Sequence, residues 1–258
     1  MTHAYILALA NQKGGTGKTT TAIHVAAGLA ALGQKVLLLD LDPAGGATRW
    51  LGVDVADDDT GLADALVNRT DLSPLVRPAN VPHVDVLPAS LWLTSAEKHL
   101  TDEPRLHRAI DALPVGRWNF VLIDCPPSLG LLTVNALAAA DGALIPVETT
   151  ALSVGGLAAL LTTLDTVRQD ANPALRVAGI VAVRVRKTRH AADVLDKLRA
   201  RFGPLVCKTT VPESVRVAEA PGLRAPVTTT APTSAGATAY RALSRELLTR
   251  LRKGAHTA

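Results

Sequence analysis

Short, nearly unbroken apolar runs alternate along this chain with longer segments whose apolar residues recur at helical spacing. Residues 5–10, 35–40, 84–87, 118–124, 142–147 and 176–183 are the apolar runs. Each has the length of a strand, and apolar residues on both faces mark a strand buried from both sides. Between them, 21–32, 60–68, 94–112, 129–139, 153–169 and 190–202 read as helices, and a last helix covers about 235–253. In that last helix Tyr240, Leu243, Leu247 and Leu251 form one apolar stripe, and Arg241, Arg245 and Arg252 lie on another face. Polar 54–59 and proline-containing 70–83 read as loops, and 204–236 as packed loop with short helix. The pattern predicts an α/β fold: a mostly parallel twisted sheet with helices on both faces, in one domain over 1–258. Ligands of such sheets bind beyond the carboxyl ends of the strands.

Asn-Gln-Lys-Gly-Gly-Thr-Gly-Lys-Thr-Thr, residues 11–20, joins the first strand to the first helix. Strand, glycine-rich turn and helix frame a phosphate-binding loop: unpaired helix N–H groups and the positive dipole end face the anion. Gly14, Gly15 and Gly17 let the backbone wrap phosphates, with Thr16 and Thr20 beside them; Lys18 supplies charge, and the Thr19 hydroxyl suits Mg²⁺. The standard spacing G-x-x-x-x-G-K-[ST] puts its first glycine at position 12, which is Gln12 here, and Lys13 stands at the entrance. A second lysine there suits the nucleotide of a facing subunit, as an arginine finger does. Asp124 ends an apolar run and suits a Mg²⁺-bound water. Cys125-Pro126-Pro127 after it reads as a stiff turn that senses hydrolysis, with Cys125 a small buried residue. Of Asp40 and Asp42, one is assigned to Mg²⁺ and the other to the attacking water. A structural role for Asp40, through backbone N–H groups, stays open.

Composition narrows the class. The chain has 258 residues, 48% hydrophobic, with no apolar run long enough to span a bilayer and no basic-then-apolar start of a secretory signal. Two cysteines make neither a disulfide framework nor a metal cluster, which suits a reducing cytoplasm. Charge is uneven: residues 1–183 carry net −6 and residues 184–258 net +10. The basic third suits a polyanion, with Arg184, Arg186, Lys187 and Arg189 as a cluster and Arg216 and Arg224 extending it. Phe202 and Tyr240 are its only aromatics, which argues against single-strand stacking.

The segments 10–20, 36–43 (Val-Leu-Leu-Leu-Asp-Leu-Asp-Pro), 121–128 (Val-Leu-Ile-Asp-Cys-Pro-Pro-Ser), 135–141, 215–221 and 234–240, in this order, make the chain resemble a ParA-type partition ATPase. That family is the deviant Walker A class of P-loop NTPases, which also holds MinD. The resemblance covers nearly the whole length. It implies ATP and Mg²⁺ as cofactors, Lys13 as the signature lysine acting across a dimer, and Lys18 as the loop lysine. Thr19, Asp42 and Asp124 become the Mg²⁺ set, with Asp42 aligning the attacking water and Asp124 the switch aspartate. Pro212, in Val211-Pro212-Glu213 where the family has Ile-Pro-Arg, is carried over as a nucleotide contact. The implied partners are a second copy on ATP binding, double-stranded DNA without sequence preference, and a ParB-type centromere-binding protein that stimulates hydrolysis. The implied setting is the nucleoid in the cytoplasm, driving chromosome or plasmid segregation. Departures are Ala44 for the usual Gln, Thr150 near a usual Glu, and Thr230-Ala231-Pro232 for Tyr-Asp-Pro. No long DNA-reading extension precedes the loop, so operator-specific repression is not expected. The rival reading is a MinD-like membrane-surface ATPase anchored by the last helix. Its stripe ends at Leu251 without large aromatics, so stable membrane association is not expected.

Overall fold

The computed structural model describes residues 3–56, 58–100 and 105–254. Its strands are β1 (Tyr5–Leu9), β2 (Val36–Asp40), β3 (Arg77–Pro78), β4 (Val84–Leu87), β5 (Phe120–Asp124), β6 (Gly142–Glu148) and β7 (Arg176–Val183). Its α-helices are α1 (Lys18–Ala31), α2 (Gly46–Trp50), α3 (Gly61–Asn68), α4 (Leu93–Ala96), α5 (Arg105–Asp111) and α6 (Leu131–Ala139). After them come α7 (Ala151–Asp170), α8 (Arg189–Phe202), α9 (Val215–Glu219), α10 (Val227–Thr230) and α11 (Ala235–Gly254).

The strands form one sheet in the order β3-β4-β2-β5-β1-β6-β7, and every pair except β3–β4 is parallel. Successive side chains point to opposite faces of a strand, and here both faces are buried. Ile6, Ala8, Leu37, Leu39, Val121 and Ile123 enter one core, with Leu132, Leu137 and Leu160 from α6 and α7. Leu7, Leu9, Val36, Leu38 and Leu122 enter the other, with Ile23, Leu29, Leu243 and Leu247 from α1 and α11. The α/β expectation of a mostly parallel, doubly covered sheet is met.

Two expectations change. The single helix expected at 94–112 is α4, a 3₁₀ turn at Glu97–His99 and α5, with 101–104 outside the described residues. The sequence has a proline at 104, which lacks the N–H a helix interior needs. The loop at 70–83 contains β3, whose two residues pair antiparallel with Val86 and Asp85 and are too few to show a period. The packed loop with short helix expected over 204–236 is met by α9 and α10, which follow a 3₁₀ turn at Gly203–Leu205.

The last helix gives its stripe to the core, since Tyr240, Leu243, Leu247 and Leu251 are all buried with α1. That leaves the MinD-like anchor without an apolar face in the described part of α11. Among the described residues no helix is long and apolar enough to cross a membrane. The two helices touch at Gly28, where an added Cβ would fall 2.6 Å from Ser244 Cβ. Gly28→Ala is therefore expected to lower unfolding free energy by about 1–3 kcal/mol despite alanine's better helix propensity. Urea titration checks this, and Ser244→Gly in the same chain is expected to restore most of the loss. A neutral Gly28→Ala would mean that the helices slide apart freely.

Candidate active site

Parallel pairing brings three strand ends together. Leu9 of β1 and Asp40 of β2 both stand in register with Asp124 of β5. The loop 11–17, the segment 41–46 and the turn 125–130 therefore share one edge of the sheet.

In the loop, Gly15 (φ 76°) and Gly17 (φ 79°) adopt left-handed backbone that suits glycine. Gly17 caps α1, so the helix begins at Lys18, three residues before the apolar periodicity starts. Asn11 anchors the entrance: its Nδ2 donates to the Pro146 carbonyl at 2.7 Å, and its Oδ1 accepts from the Lys13 N–H at 3.1 Å. The Thr16 hydroxyl donates to the Lys13 carbonyl at 3.1 Å. An added Cβ on Gly14 would meet Pro127 at 3.8 Å, so the two-proline turn lies against the loop.

Lys18 is buried at 6% exposure. Burial pushes its pKa down, while Asp124, Cys125 and Asp42 pull it back up. Asp124 is fully buried, and neither carboxylate oxygen has a hydrogen-bond partner. Burial pushes its pKa well up, Asp40 and Asp42 add to the rise, and Thr19 and Lys18 oppose it. Asp40, also fully buried, is satisfied: Thr48 donates to Oδ2 from N at 2.8 Å and from Oγ1 at 2.7 Å. Its pKa rises to about 6, chiefly from burial. Asp40 thus holds α2 to the sheet edge, the structural role kept open for it. Asp42 is half-buried, and its Oδ1 accepts from the Ala44 N–H at 3.0 Å. Gly46, at the start of α2, lies against Thr19: an added Cβ there would stand 3.5 Å from Thr19 Cγ2. Lys18, Thr19, Asp42 and Asp124 thus fall into one electrostatic cluster. Burial and Asp124 push the Cys125 thiol up, so it is an inert buried group.

Glu148, which the sequence reading passed over, closes the other side. It ends β6 and accepts from Lys13 Nζ at 3.4 Å and from Arg184 at 2.7 Å. The signal was available, because a carboxylate at the carboxyl end of an apolar strand is what marked Asp124. Arg184, with φ 51°, also reaches the Gly15 carbonyl at 3.4 Å. Of the basic residues proposed for a polyanion, Arg184 therefore sits against the phosphate loop. Pro212 is half-buried and bridges Val185, next to Arg184. A cavity of about 260 Å³ opens here, lined by Glu148, Thr150, Arg184, Arg186, His190 and Glu213 among others.

The other basic residues face outward. Arg186 forms a forked pair with Glu213 at 2.9 and 3.1 Å. Arg216 pairs with Glu219, and Arg224 with Asp54 and the Arg49 carbonyl. Lys187 and Arg189 are exposed, and neither has an ion pair among the described residues. Such exposed pairs are weak and open readily to a stronger anion.

The chain is similar to known proteins. The pattern of a family described as an AAA domain matches residues 4–177. The sporulation initiation inhibitor protein Soj of Bacillus subtilis (strain 168) is 39% identical over 247 residues, covering 94% of this chain and 97% of its own length. The chromosome-partitioning ATPase Soj of Thermus thermophilus is 46% identical over 248 residues, covering 96% of each. A crystal structure of cobyrinic acid a,c-diamide synthase from Mycobacterium smegmatis with bound ADP and magnesium superimposes with a TM-score of 0.84. It is 33% identical and covers 97% of this chain and 96% of the other.

Proposed function

The chain belongs to the ParA/Soj family of chromosome-partitioning ATPases, and from that premise we propose how its own residues serve the family's work. It acts as a single Mg²⁺-dependent ATPase domain that dimerises around ATP, binds double-stranded DNA without sequence preference and drives chromosome or plasmid segregation. A ParB-type centromere-binding partner stimulates hydrolysis, and the protein works in the cytoplasm on the nucleoid. One observation carries the reading: a fully buried carboxylate without a hydrogen-bond partner, Asp124, shares an edge with a buried Lys18 and a left-handed glycine loop.

The residues present fit ATP and Mg²⁺. An unpaired buried carboxylate is costly unless a cation or donor satisfies it. Thr19, Asp42 and Asp124 would hold the metal and its waters, and Gly14 to Thr20 with Lys18 would cradle the phosphates. Bound Mg²⁺ neutralises charge on the phosphate oxygens. Asp42 orients the attacking water, and Pro212 flanks the base. The mycobacterial neighbour, whose structure carries ADP and magnesium, supports the cofactor assignment.

Lys13 is half-exposed and held by Glu148. In this reading it leaves Glu148 for the nucleotide of the facing subunit. Lys13→Ala is expected to reduce ATP-dependent dimerisation and hydrolysis together, the latter by ~10³-fold as for a removed arginine finger. Light scattering and phosphate release measure the two, and normal values for both would break the link.

Arg186, Lys187 and Arg189, with Arg216 and Arg224 beyond them, then face DNA. Binding of a random duplex should require ATP and fail with ADP or without nucleotide. The pair Arg186→Glu and Arg189→Glu should weaken it by at least about tenfold and flatten its salt dependence. Unchanged ATP-dependent binding in that double variant would remove the patch assignment. Binding to liposomes but not to DNA would favour the MinD-like alternative.

A further inference from the structure

We propose that Leu91 and Trp92 are the apolar anchor of the face that a second copy of this chain covers when ATP is bound. The proposal rests on the ATP-sandwich reading and adds the surface that makes the closed dimer stick. Both side chains are exposed, Leu91 at 57% and Trp92 at 48%, while the other two tryptophans, Trp50 and Trp118, are at 5% and 4%. The exposure is built in. Ala89 and Ser90 before the pair and Leu93 after it are buried. The Ala89 N–H donates to Thr48 Oγ1 at 2.9 Å, the Ser90 hydroxyl donates to the Asp59 carbonyl at 2.6 Å, and the Trp92 N–H donates to Ser90 Oγ at 3.2 Å. The segment is thus pinned on both flanks with two large apolar side chains held out.

Its place decides the occupant. β4 pairs in parallel with β2, Leu87 beside Leu39, so residues 88–92 leave the sheet at the edge where 41–46 leave it. The chain Asp40–Thr48–Ala89 ties the segment to the carboxylates at the nucleotide edge. An added Cβ on Gly45 would stand 4.0 Å from Ala89 Cβ. The pair therefore stands on the same edge as the loop that carries Lys13. A subunit close enough to receive Lys13 covers neighbouring surface on that edge. Tryptophan is the residue type most enriched among side chains that dominate interface energy, and contiguous exposed apolar groups mark interaction sites. In a two-fold dimer both copies use the same surface, so the pair on each copy is covered by its partner.

Trp92 reports its own burial, because the other two tryptophans are already buried. With a slowly hydrolysed ATP analogue and Mg²⁺, light scattering should show a dimer and tryptophan emission should shift to the blue. With ADP neither should change. Trp92→Ala should weaken the dimer about tenfold or more while ADP affinity stays at the parent's value, and Trp92→Phe should keep most of the affinity. A dimer in which the emission does not move, or a Trp92→Ala dimer as tight as the parent's, overturns the inference and leaves the sandwich reading standing. Absence of any dimer with the ATP analogue overturns the sandwich reading itself, and the inference with it.

Discussion

An Asp124→Asn protein is expected to melt several degrees above the parent without nucleotide, and to hydrolyse ATP at least ~100-fold more slowly. The two effects share one cause. Asp124 ends β5 fully buried, both oxygens lack a hydrogen-bond partner, and Asp40 and Asp42 press on it with like charge. A buried carboxylate whose oxygens make no close hydrogen bond costs several kcal/mol, which the nearby Lys18 and Thr19 offset only in part. An amide of the same shape removes the charge and leaves a smaller polar cost, a gain of roughly 1–3 kcal/mol. For a chain of this size, that corresponds to ~2–4 °C of melting temperature for each kcal/mol. The same exchange removes the anionic oxygen proposed to hold Mg²⁺ and its water. Differential scanning fluorimetry without nucleotide and phosphate release with Mg²⁺-ATP read the two arms. A lower melting point would show that the carboxylate already has a structural partner, and undiminished hydrolysis would remove Asp124 from the metal set. Stability gained where activity is lost is expected of a site kept strained for its ligand.

The legible parts of this protein are those set by neighbours in sequence. β2 and β5 are buried at every position and read plainly as apolar runs. Lys18, Thr19 and Asp124 follow from a loop motif and a strand end. What escaped depends on long-range pairing. Glu148 lies 36 residues from Arg184, and only the β6–β7 pairing, which sets Glu148 beside Val183, brings them together. Arg184 reads in sequence as one more charge in a basic run. Its left-handed backbone turns it to the loop while Arg186 and Lys187 remain outside. The helix expected at 94–112 failed because apolar spacing is blind to a break. There, Glu97 leaves the helical pattern for a 3₁₀ turn and accepts from the Leu132 N–H at 3.3 Å in the first turn of α6.

The phosphate-loop helix is held in place by a histidine, and this makes the fold acid-sensitive in a defined window. His24 is fully buried in α1, stacked on Tyr240 at 4.3 Å and edge-on to Trp50 at 5.5 Å. Its Nδ1 lies 2.6 Å from the Thr20 carbonyl, and its Nε2 is 2.9 Å from the Val227 N–H. A carbonyl only accepts and an N–H only donates, so the proton belongs on Nδ1 and Nε2 must stay bare. Protonating Nε2 would set N–H against N–H and put a charge in the core. Burial accordingly lowers the pKa from 6.5 to about 4. The unfolded chain therefore binds this proton more readily than the folded one. The stabilising contribution is complete above pH ~6.5 and falls as pH drops toward ~4, by ~3 kcal/mol in all. His24→Leu removes the titration but leaves the buried Val227 N–H unpaired, a loss of about 2 kcal/mol at pH 7.5. Urea unfolding of parent and variant at pH 7.5 and pH 5 separates His24 from other titrating groups. The gap between them should close by ~2 kcal/mol at the lower pH, and a gap independent of pH would show that His24 is not the sensor. Because the Thr20 carbonyl belongs to the first turn of α1, nucleotide affinity should weaken over the same interval. Protonation would release the helix that carries Lys18 and Thr19 from the Val227 segment behind it.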